Sequence, residues 1–488
     1  MSQTVNIIGS GFASLAASCY LAKAGYKVQV FERNSTIGGR ARQLKRDGFT
    51  FDIGPTWYWM PDVFERFFND FNKKASDYYQ LERLDPAYQV FFGKDDSVTI
   101  PGSLEEIYEI FEKEEAGSSK ILKKFIAKAK DNYDIAIKDL VYRPGVSPME
   151  LVSPETAKRL GRFFTNISGE VRKEFSNTKL RKILEFPVLF LGAKPSDTPA
   201  FYSFMNYADF GLGTWHPAGG MYKVIEGIQD LAESLGVEFH LDSPVEKVQT
   251  ENENATGIVV KGKEFKADVI LSGADYHHTE QLLPENLRQY SSKYWEKKTF
   301  APSSLLFYVG FDKKIKNVSH HTLFFDSDFE EHAKDIYDDP KWPENPLFYA
   351  SFPSITDPTC APQGKEAAIF LIPLAPDLED TEELREHYFN LILERFERIT
   401  NQKLKTNIIF RESFCVKDFK EAYNSYKGNA YGMANTLFQT AFLRPKLKSK
   451  KVNQLYFTGQ LTVPGPGVPP SLISGKLAAG LIEKHEIK

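Results

Sequence analysis

Gly9, Gly11 and Ser14 follow directly on an apolar run at residues 5–8. A second apolar run, 28–31, ends in an acid, Glu32, about 20 residues past the glycines. This spacing suits dinucleotide binding. Gly9 permits a tight turn, and Gly11 lets the backbone approach a pyrophosphate. A helix predicted over 14–24 would turn its N-terminal amides and dipole toward that phosphate. Ser14 replaces the third glycine of the fingerprint but is still small enough for close helix–strand packing. Glu32 can accept hydrogen bonds from adenosine ribose hydroxyls and would repel a 2′-phosphate.

Gly38-Gly39-Arg40 comes next. Paired glycines allow close backbone approach, and arginine supplies a planar donor fork for phosphate. This segment resembles the extension after the second strand in flavin amine oxidases, GDP-dissociation inhibitors and carotenoid desaturases. The resemblance implies FAD rather than NAD, with Gly38, Gly39 and Arg40 near its pyrophosphate. Arg42 either shares that role or is a solvated charge.

These motifs need a parallel sheet to hold them, and the chain supplies its strands in pieces. Runs at 5–8, 28–32, 235–242 and 267–275 read as strands, and 245–248 as a further one. The resemblance to flavoproteins implies that the segment around Val245 reaches the adenine. The expected fold is α/β, with α+β character in the second domain. It consists of a discontinuous Rossmann-like dinucleotide domain, a mixed-sheet substrate domain and a helical membrane-associating lid. The dinucleotide domain is expected over 1–75, 216–290 and 425–488, and the substrate domain over 76–215 and 291–424. Residues 76–215 look mainly helical, with helical spacing at 104–113, 118–140 and 154–164. Residues 303–311, 346–353 and 367–374 read as strands of the second sheet, and 383–398 as an amphipathic helix.

The formal net charge of −4 argues against nucleic acid as the main partner. The 3 cysteines exclude a disulfide framework and suit a reducing compartment. The pairs His277-His278 and His320-His321 are adjacent in sequence, and neighbouring residues in a strand or helix point apart, so no metal site is expected. No leader peptide is read at the start, and no apolar run approaches the roughly 18 residues that span a bilayer. The richest run, 183–192, either dips into a membrane surface or packs inside the lid. Basic residues precede it (Arg172, Lys173, Lys179, Arg181, Lys182), suiting either an anionic membrane or a solvated face. Aromatic content of 14% could line a long apolar cavity or simply fill the core.

Over nearly its whole length the chain resembles bacterial-type phytoene desaturases and related carotenoid oxidoreductases. The likeness rests on the GxGxxS loop, Glu32 and Gly38-Gly39-Arg40, and on Phe51-Asp-Ile-Gly-Pro55. It rests also on Trp215-His-Pro-Ala-Gly-Gly-Met-Tyr222, Phe348-Tyr-Ala-Ser-Phe-Pro-Ser-Ile-Thr-Asp-Pro358, Gly432-Met-Ala-Asn-Thr-Leu437, Arg444-Pro445 and Thr458-Gly-Gln-Leu-Thr-Val-Pro-Gly-Pro-Gly-Val-Pro-Pro470. Val463 stands where the family often has His, and Pro466 and Pro470 where small residues are common.

The resemblance implies an FAD-dependent desaturase acting on a linear C40 carotenoid precursor, phytoene toward lycopene, by hydride loss from an allylic unit to the flavin. Gly54, Pro55, Val245, Gly459, Gly467 and Val468 join the cofactor set, with a helix near Pro470 turning its amides to the flavin. Trp57, Trp59, Tyr207, Phe210 and Trp215 are the expected tunnel wall, and Asp209 and His216 the candidates for taking the proton. Oxygen or a membrane quinone would be the final acceptor, and the expected location is cytoplasmic, peripheral on the inner membrane face. The alternatives are a desaturase of hydroxylated, cyclised or C30 carotenoids, a carotene isomerase, an amine oxidase, and a non-catalytic prenyl-lipid carrier of the GDP-dissociation-inhibitor type.

Overall fold

The computed structural model describes residues 2–151 and 165–486. The helix expected over 154–164 lies outside the described residues.

Short apolar β-branched runs build the first layer. Val5, Ile7, Val28, Val30, Val269 and Leu271 are all buried, as strands covered on both faces require. Five strands pair in the order Leu455–Phe457, Val269–Ser272, Thr4–Ile8, Lys27–Phe31, Glu238–His240, and every pairing is parallel. The order collects residues more than 400 positions apart, because the last strand pairs beside Val269–Ser272. Helix Phe12–Lys23 packs across the final helix, Val468–Glu486. The two helices touch backbone to backbone: a Cβ at Gly475 would lie 2.3 Å from Ala13 O.

The second layer is a seven-stranded mixed sheet. Its longest buried strand is Ser303–Phe311, buried at all nine positions, second from one edge and antiparallel to Glu366–Leu374 and the edge strand Ile408–Phe414. Phe348–Ser351 and His321–Phe324 extend it. Strand Tyr88–Gly93 joins parallel to His321–Phe324 and turns back as Asp96–Ile100. The segment 76–215 is mainly helical, as expected, but it also contributes an unexpected hairpin to the sheet. Its signal was the alternation around Gly93-Lys94-Asp95, with Asp95 at φ +60° in the turn. Helices Leu104–Glu114 and Ser118–Lys138 follow it. A three-stranded antiparallel meander, Val245–Glu251, Asn254–Val260 and Lys263–Lys266, flanks the parallel sheet.

Candidate functional site

The carboxyl ends of the parallel strands face one crevice, where ligands of open α/β sheets bind. Gly9 holds φ +85° in the turn, and Gly11 is the N-cap of helix Phe12–Lys23. A Cβ at Gly11 would meet nothing within 4 Å. Its missing side chain therefore serves space in the crevice, not packing. Ser14 faces the other way, since a Cβ at Gly273 would come within 2.0 Å of Ser14 Oγ. The close helix–strand contact is kept by transferring the glycine to the neighbouring strand end. Glu32 is buried. Its Oε2 accepts from Ser10 N and Oγ at 3.0 and 2.7 Å, and its Oε1 from Asn34 N and Nδ2 at 2.9 and 2.7 Å. That net fixes the carboxylate at the crevice edge beside Val245.

Gly38 at φ +107° and Gly39 at φ +56° bring the next turn against the loop, with a Cβ at Gly39 only 3.2 Å from Gly11 Cα. Arg40 follows, its guanidinium 5.1 Å from the Tyr423 ring centre and donating to Ser425 Oγ at 3.1 Å. Burial pulls its pKa down while Asp275 opposes the shift, and its Nε has no hydrogen-bond partner. Gly54 sits against Arg40 itself, since a Cβ there would fall 2.1 Å from Arg40 O.

From the other end of the chain, Ser474 accepts from Gly459 N at 2.9 Å and so ties the turn at Gly459 to the last helix. That helix begins at Val468, close to the expected start near Pro470. Pro469 and Pro470 fill its first turn and carry no N–H, and Ser471 N already donates to Gly467 O at 3.0 Å. The expected array of helix amides is thus reduced to those of Gly467 and Val468.

The crevice opens into a cavity of about 1270 Å³, beyond the roughly 300–1,000 Å³ of ordinary small-molecule sites. Gly9, Gly11, Glu32, Gly38, Gly39, Arg40, Gly54, Pro55, Val245, Gly459, Gly467 and Val468 all line it. One wall is the seven-stranded sheet, through Ser304, Leu306, Leu323, Tyr349 and Leu371. The opposite wall includes Phe186, Leu189, Phe190 and Leu191 from the run at 183–192. That run is a cavity wall, not a segment dipping from the surface. The basic residues before it are largely engaged by neighbours: Arg172 with Glu185 at 3.1 Å, Lys179 with Asp96, and Lys182 with Phe325 O at 3.2 Å.

Trp57 and Trp59 stand on the cavity wall. Tyr207, Phe210 and Trp215 do not. Tyr207 packs on Tyr133 at 5.4 Å, Phe210 on Phe111 at 6.0 Å, and Trp215 donates to Leu212 O at 2.9 Å. All three follow the wall segment in sequence, but Tyr207 and Phe210 sit in the irregular turn Tyr207–Gly211, and Trp215 is held in strand Trp215–Pro217, paired with Leu81–Arg83.

The two proton-taking candidates also lie off the cavity. Asp209 is buried and accepts from Tyr88 Oη at 2.8 Å; burial pushes its pKa up to about 8. His216 belongs to a small buried polar nest with Asp52, His320 and Cys360. Its Nε2 is 3.5 Å from Asp357 Oδ2, and His216 with Thr359 holds that carboxyl well below the usual range. Burial raises Asp52 to about 6, against hydrogen bonds from Met221 N and Tyr222 N at 2.7 and 3.2 Å.

The histidine pair at 320–321 behaves otherwise than adjacency suggested. Strand pairing begins only at His321. The two rings therefore converge at 4.5 Å, with His216 4.7 Å from His320. Among the described residues, one ligand-type atom each of His216, Asp357 and Cys360 also lies within 4.8 Å of the others. No spacing in the sequence signals either grouping, because each brings His216 to a segment more than 100 residues away.

Two aligned ends of one chain, meeting on a dinucleotide crevice that opens into an apolar cavity, define a flavoprotein. Comparison with known proteins narrows this. Residues 12–482 match the family described as flavin containing amine oxidoreductase. A carotenoid 3,4-desaturase of Haloarcula japonica is 40% identical over 486 residues, covering 99% of this chain and 98% of that one. A zeta-carotene-forming phytoene desaturase of Myxococcus xanthus is 32% identical over 482 residues, covering 96% and 92%. An oxidoreductase crystal structure from Methanosarcina mazei superposes with a TM-score of 0.64 at 17% identity, covering 98% of this chain and 100% of that one. The chain belongs to the flavin containing amine oxidoreductases and, within them, to the carotenoid desaturases.

It is an FAD-dependent oxidoreductase, and the lipid-carrier alternative falls with that. The residues fit the cofactor: open space at Gly11, a fixed carboxylate at Glu32 and an unpartnered Nε on Arg40 all face or border the crevice.

Proposed function

We propose that this chain desaturates a linear C40 carotenoid, working from phytoene toward lycopene. The observation that carries this reading is the continuous cavity, which runs from the dinucleotide crevice between largely apolar walls to an apolar rim. A polyene hydrocarbon offers almost nothing to hydrogen-bond, so shape and apolar contact must recognise it. The names of the relatives, both carotenoid desaturases, support the same substrate class.

Bound FAD supplies the two-electron acceptor such a reaction needs. Gly9, Gly11, Glu32, Gly38, Gly39 and Arg40 would hold its nucleotide end, and Gly54, Pro55, Gly459, Gly467 and Val468 its ring end. The chain's remaining work is to align one C–C unit of the polyene and to exclude water. Trp57, Trp59, Phe186 and Phe190 suit that task. They pack as one aromatic group, with Trp57 5.2 Å from Trp59 and 5.5 Å from Phe186, and Trp59 4.9 Å from Phe190.

A hydrocarbon substrate resides in a bilayer, and among the described residues no helix is long and apolar enough to cross one. The reading is therefore peripheral attachment through the cavity rim. Phe438 is 77% exposed and Leu443 40%, both on the cavity lining. Val146 and Met149, 62% and 71% exposed, stand on the segment that lines the same cavity through Gly145, Ser147 and Glu150. Lys446 Nζ ties the two rim loops together, donating to Gly145 O and Phe442 O at 2.7 and 2.6 Å. A quinone in the same bilayer, or oxygen, would complete the cycle as final electron acceptor.

A second reading is desaturation nearer the chain end of an already conjugated or hydroxylated carotenoid. Its support is the higher identity to the 3,4-desaturase, 40% against 32%. Liposomes carrying phytoene, lycopene or a hydroxylated polyene, each incubated with FAD-loaded protein and a quinone, separate the two. Conversion of phytoene to longer chromophores supports the first reading. Conversion of only the conjugated substrates supports the second.

A further inference from the structure

Desaturation removes two hydrogens from adjacent carbons. One leaves with both electrons of its C–H bond, into the FAD-dependent oxidation. The other must leave as a proton while its bonding electrons become the new π bond. Asp209 and His216, the groups expected to take that proton, lie behind the cavity wall.

The sheet side of the wall holds a tyrosine hydroxyl with an imidazole partner. Tyr349 lines the cavity, on the strand next to His321–Phe324. Its Oη is 2.8 Å from Thr56 Oγ1, which also lines the cavity and follows the cofactor-side Gly54-Pro55 turn. On its far side the same Oη is 2.7 Å from His321 Nδ1. The His321 ring is fully buried, stacked flat on Trp57 at 4.0 Å, and its Nε2 has no hydrogen-bond partner. Thr56, Tyr349 and His321 thus form a hydrogen-bonded line leading from the cavity surface into the buried nest that holds His320, His216 and Asp357.

We propose, resting on the desaturase reading, that Tyr349 and His321 form the proton relay of the reaction. The substrate proton passes to Tyr349 Oη as the tyrosine's own proton passes to His321 Nδ1. Tyr349 ends neutral and His321 cationic. No oxidant is needed beyond the flavin, and no charge is created or lost: hydride and proton together account for both hydrogens. A weak acceptor suffices, because the carbon beside an incipient allylic cation is strongly acidic. The charge left on His321 lies toward the Asp357 carboxylate, through His320 and His216.

Burial holds His321 and His320 well below the usual imidazole range. His321 is then neutral and ready to accept at rest, and it releases the proton readily afterwards. Trp57 has a second function on this view, since its stack sets the His321 ring plane.

The test is Tyr349→Phe and, separately, His321→Asn, both FAD-loaded and supplied with the converted carotenoid in liposomes. Expected are carotenoid binding and FAD binding unchanged by spectral titration, with anaerobic flavin reduction slowed about 10²-fold or more, the usual contribution of a positioned acid–base group. The unsubstituted protein should also show a normal solvent deuterium isotope effect that is lost in Tyr349→Phe. Reduction within twofold of the unsubstituted rate, with the isotope effect retained, overturns the relay and leaves the functional reading standing. Equal losses of binding and rate in both variants also overturn it, in favour of a structural role. No oxidation of any carotenoid by the unsubstituted protein removes the functional reading and the relay with it.

Discussion

Gly11 and Gly54 are both glycines of the crevice, for opposite reasons. At Gly11 the backbone is ordinary, φ −72°, and an added methyl would point into open crevice. Gly11→Ala is therefore expected to fold with an unchanged Tm when flavin-free and to bind FAD at least tenfold more weakly, by flavin fluorescence titration. At Gly54 the added methyl would collide with the Arg40 carbonyl, and the same substitution should instead damage the fold.

Asp209 makes a prediction of another kind. Its folded pKa, about 8, is raised above the unfolded carboxylate value. The folded state holds this proton more tightly, so the contribution of Asp209 to stability is fully present below about pH 4 and is lost as pH rises to about 8. Asp209→Asn keeps the shape and removes the titration. Its Tm should decline less than that of the unsubstituted protein between pH 5 and pH 8; an identical decline in both would refute the assignment.

At the scale of elements, the contact between Phe12–Lys23 and Val468–Glu486 joins the two ends of the chain. Gly475 is where their backbones meet, 2.3 Å for an absent Cβ. Gly475→Ala must push the helices apart, at a cost of about 1–3 kcal/mol, read as a lower Tm together with weaker FAD binding, because the helices share the crevice.

Elements with strong local signals were legible in the sequence. The glycine loop, the buried strand at Ser303–Phe311 and the long helix Glu382–Thr400 each declare themselves by period or punctuation. The hairpin Tyr88–Ile100 was not read, since its short strands stand among charged helical segments and gain their place only by pairing with residues 321–324. The tunnel residues were legible only in part. Trp57 and Trp59 sit beside the cofactor turn in sequence, whereas the placement of Tyr207 and Phe210 depends on one irregular helical turn and that of Trp215 on strand pairing with Arg83. The Thr56–Tyr349–His321 line joins three segments, and nothing local in any of them signals it.

The whole molecule joins a water-facing nucleotide crevice to an apolar rim through one cavity. Val146, Met149 and Phe438 are the most exposed large apolar side chains among the described residues, and Lys446 ties together the two loops that carry them, through Gly145 O and Phe442 O. Replacing all three by Ser should leave FAD content and Tm nearly unchanged and reduce co-sedimentation with liposomes. Co-sedimentation equal to that of the unsubstituted protein would move the docking face elsewhere.

The measurement that tests the central claim most directly is an anaerobic single turnover. FAD-loaded protein is mixed with phytoene in liposomes, and the flavin spectrum and pigments are followed together. The expected result is one flavin reduced for each double bond added to the polyene. A flavin that stays oxidised beside bound phytoene and beside the conjugated carotenoids, yet is reduced by a chemical donor, would contradict carotenoid desaturation by this chain.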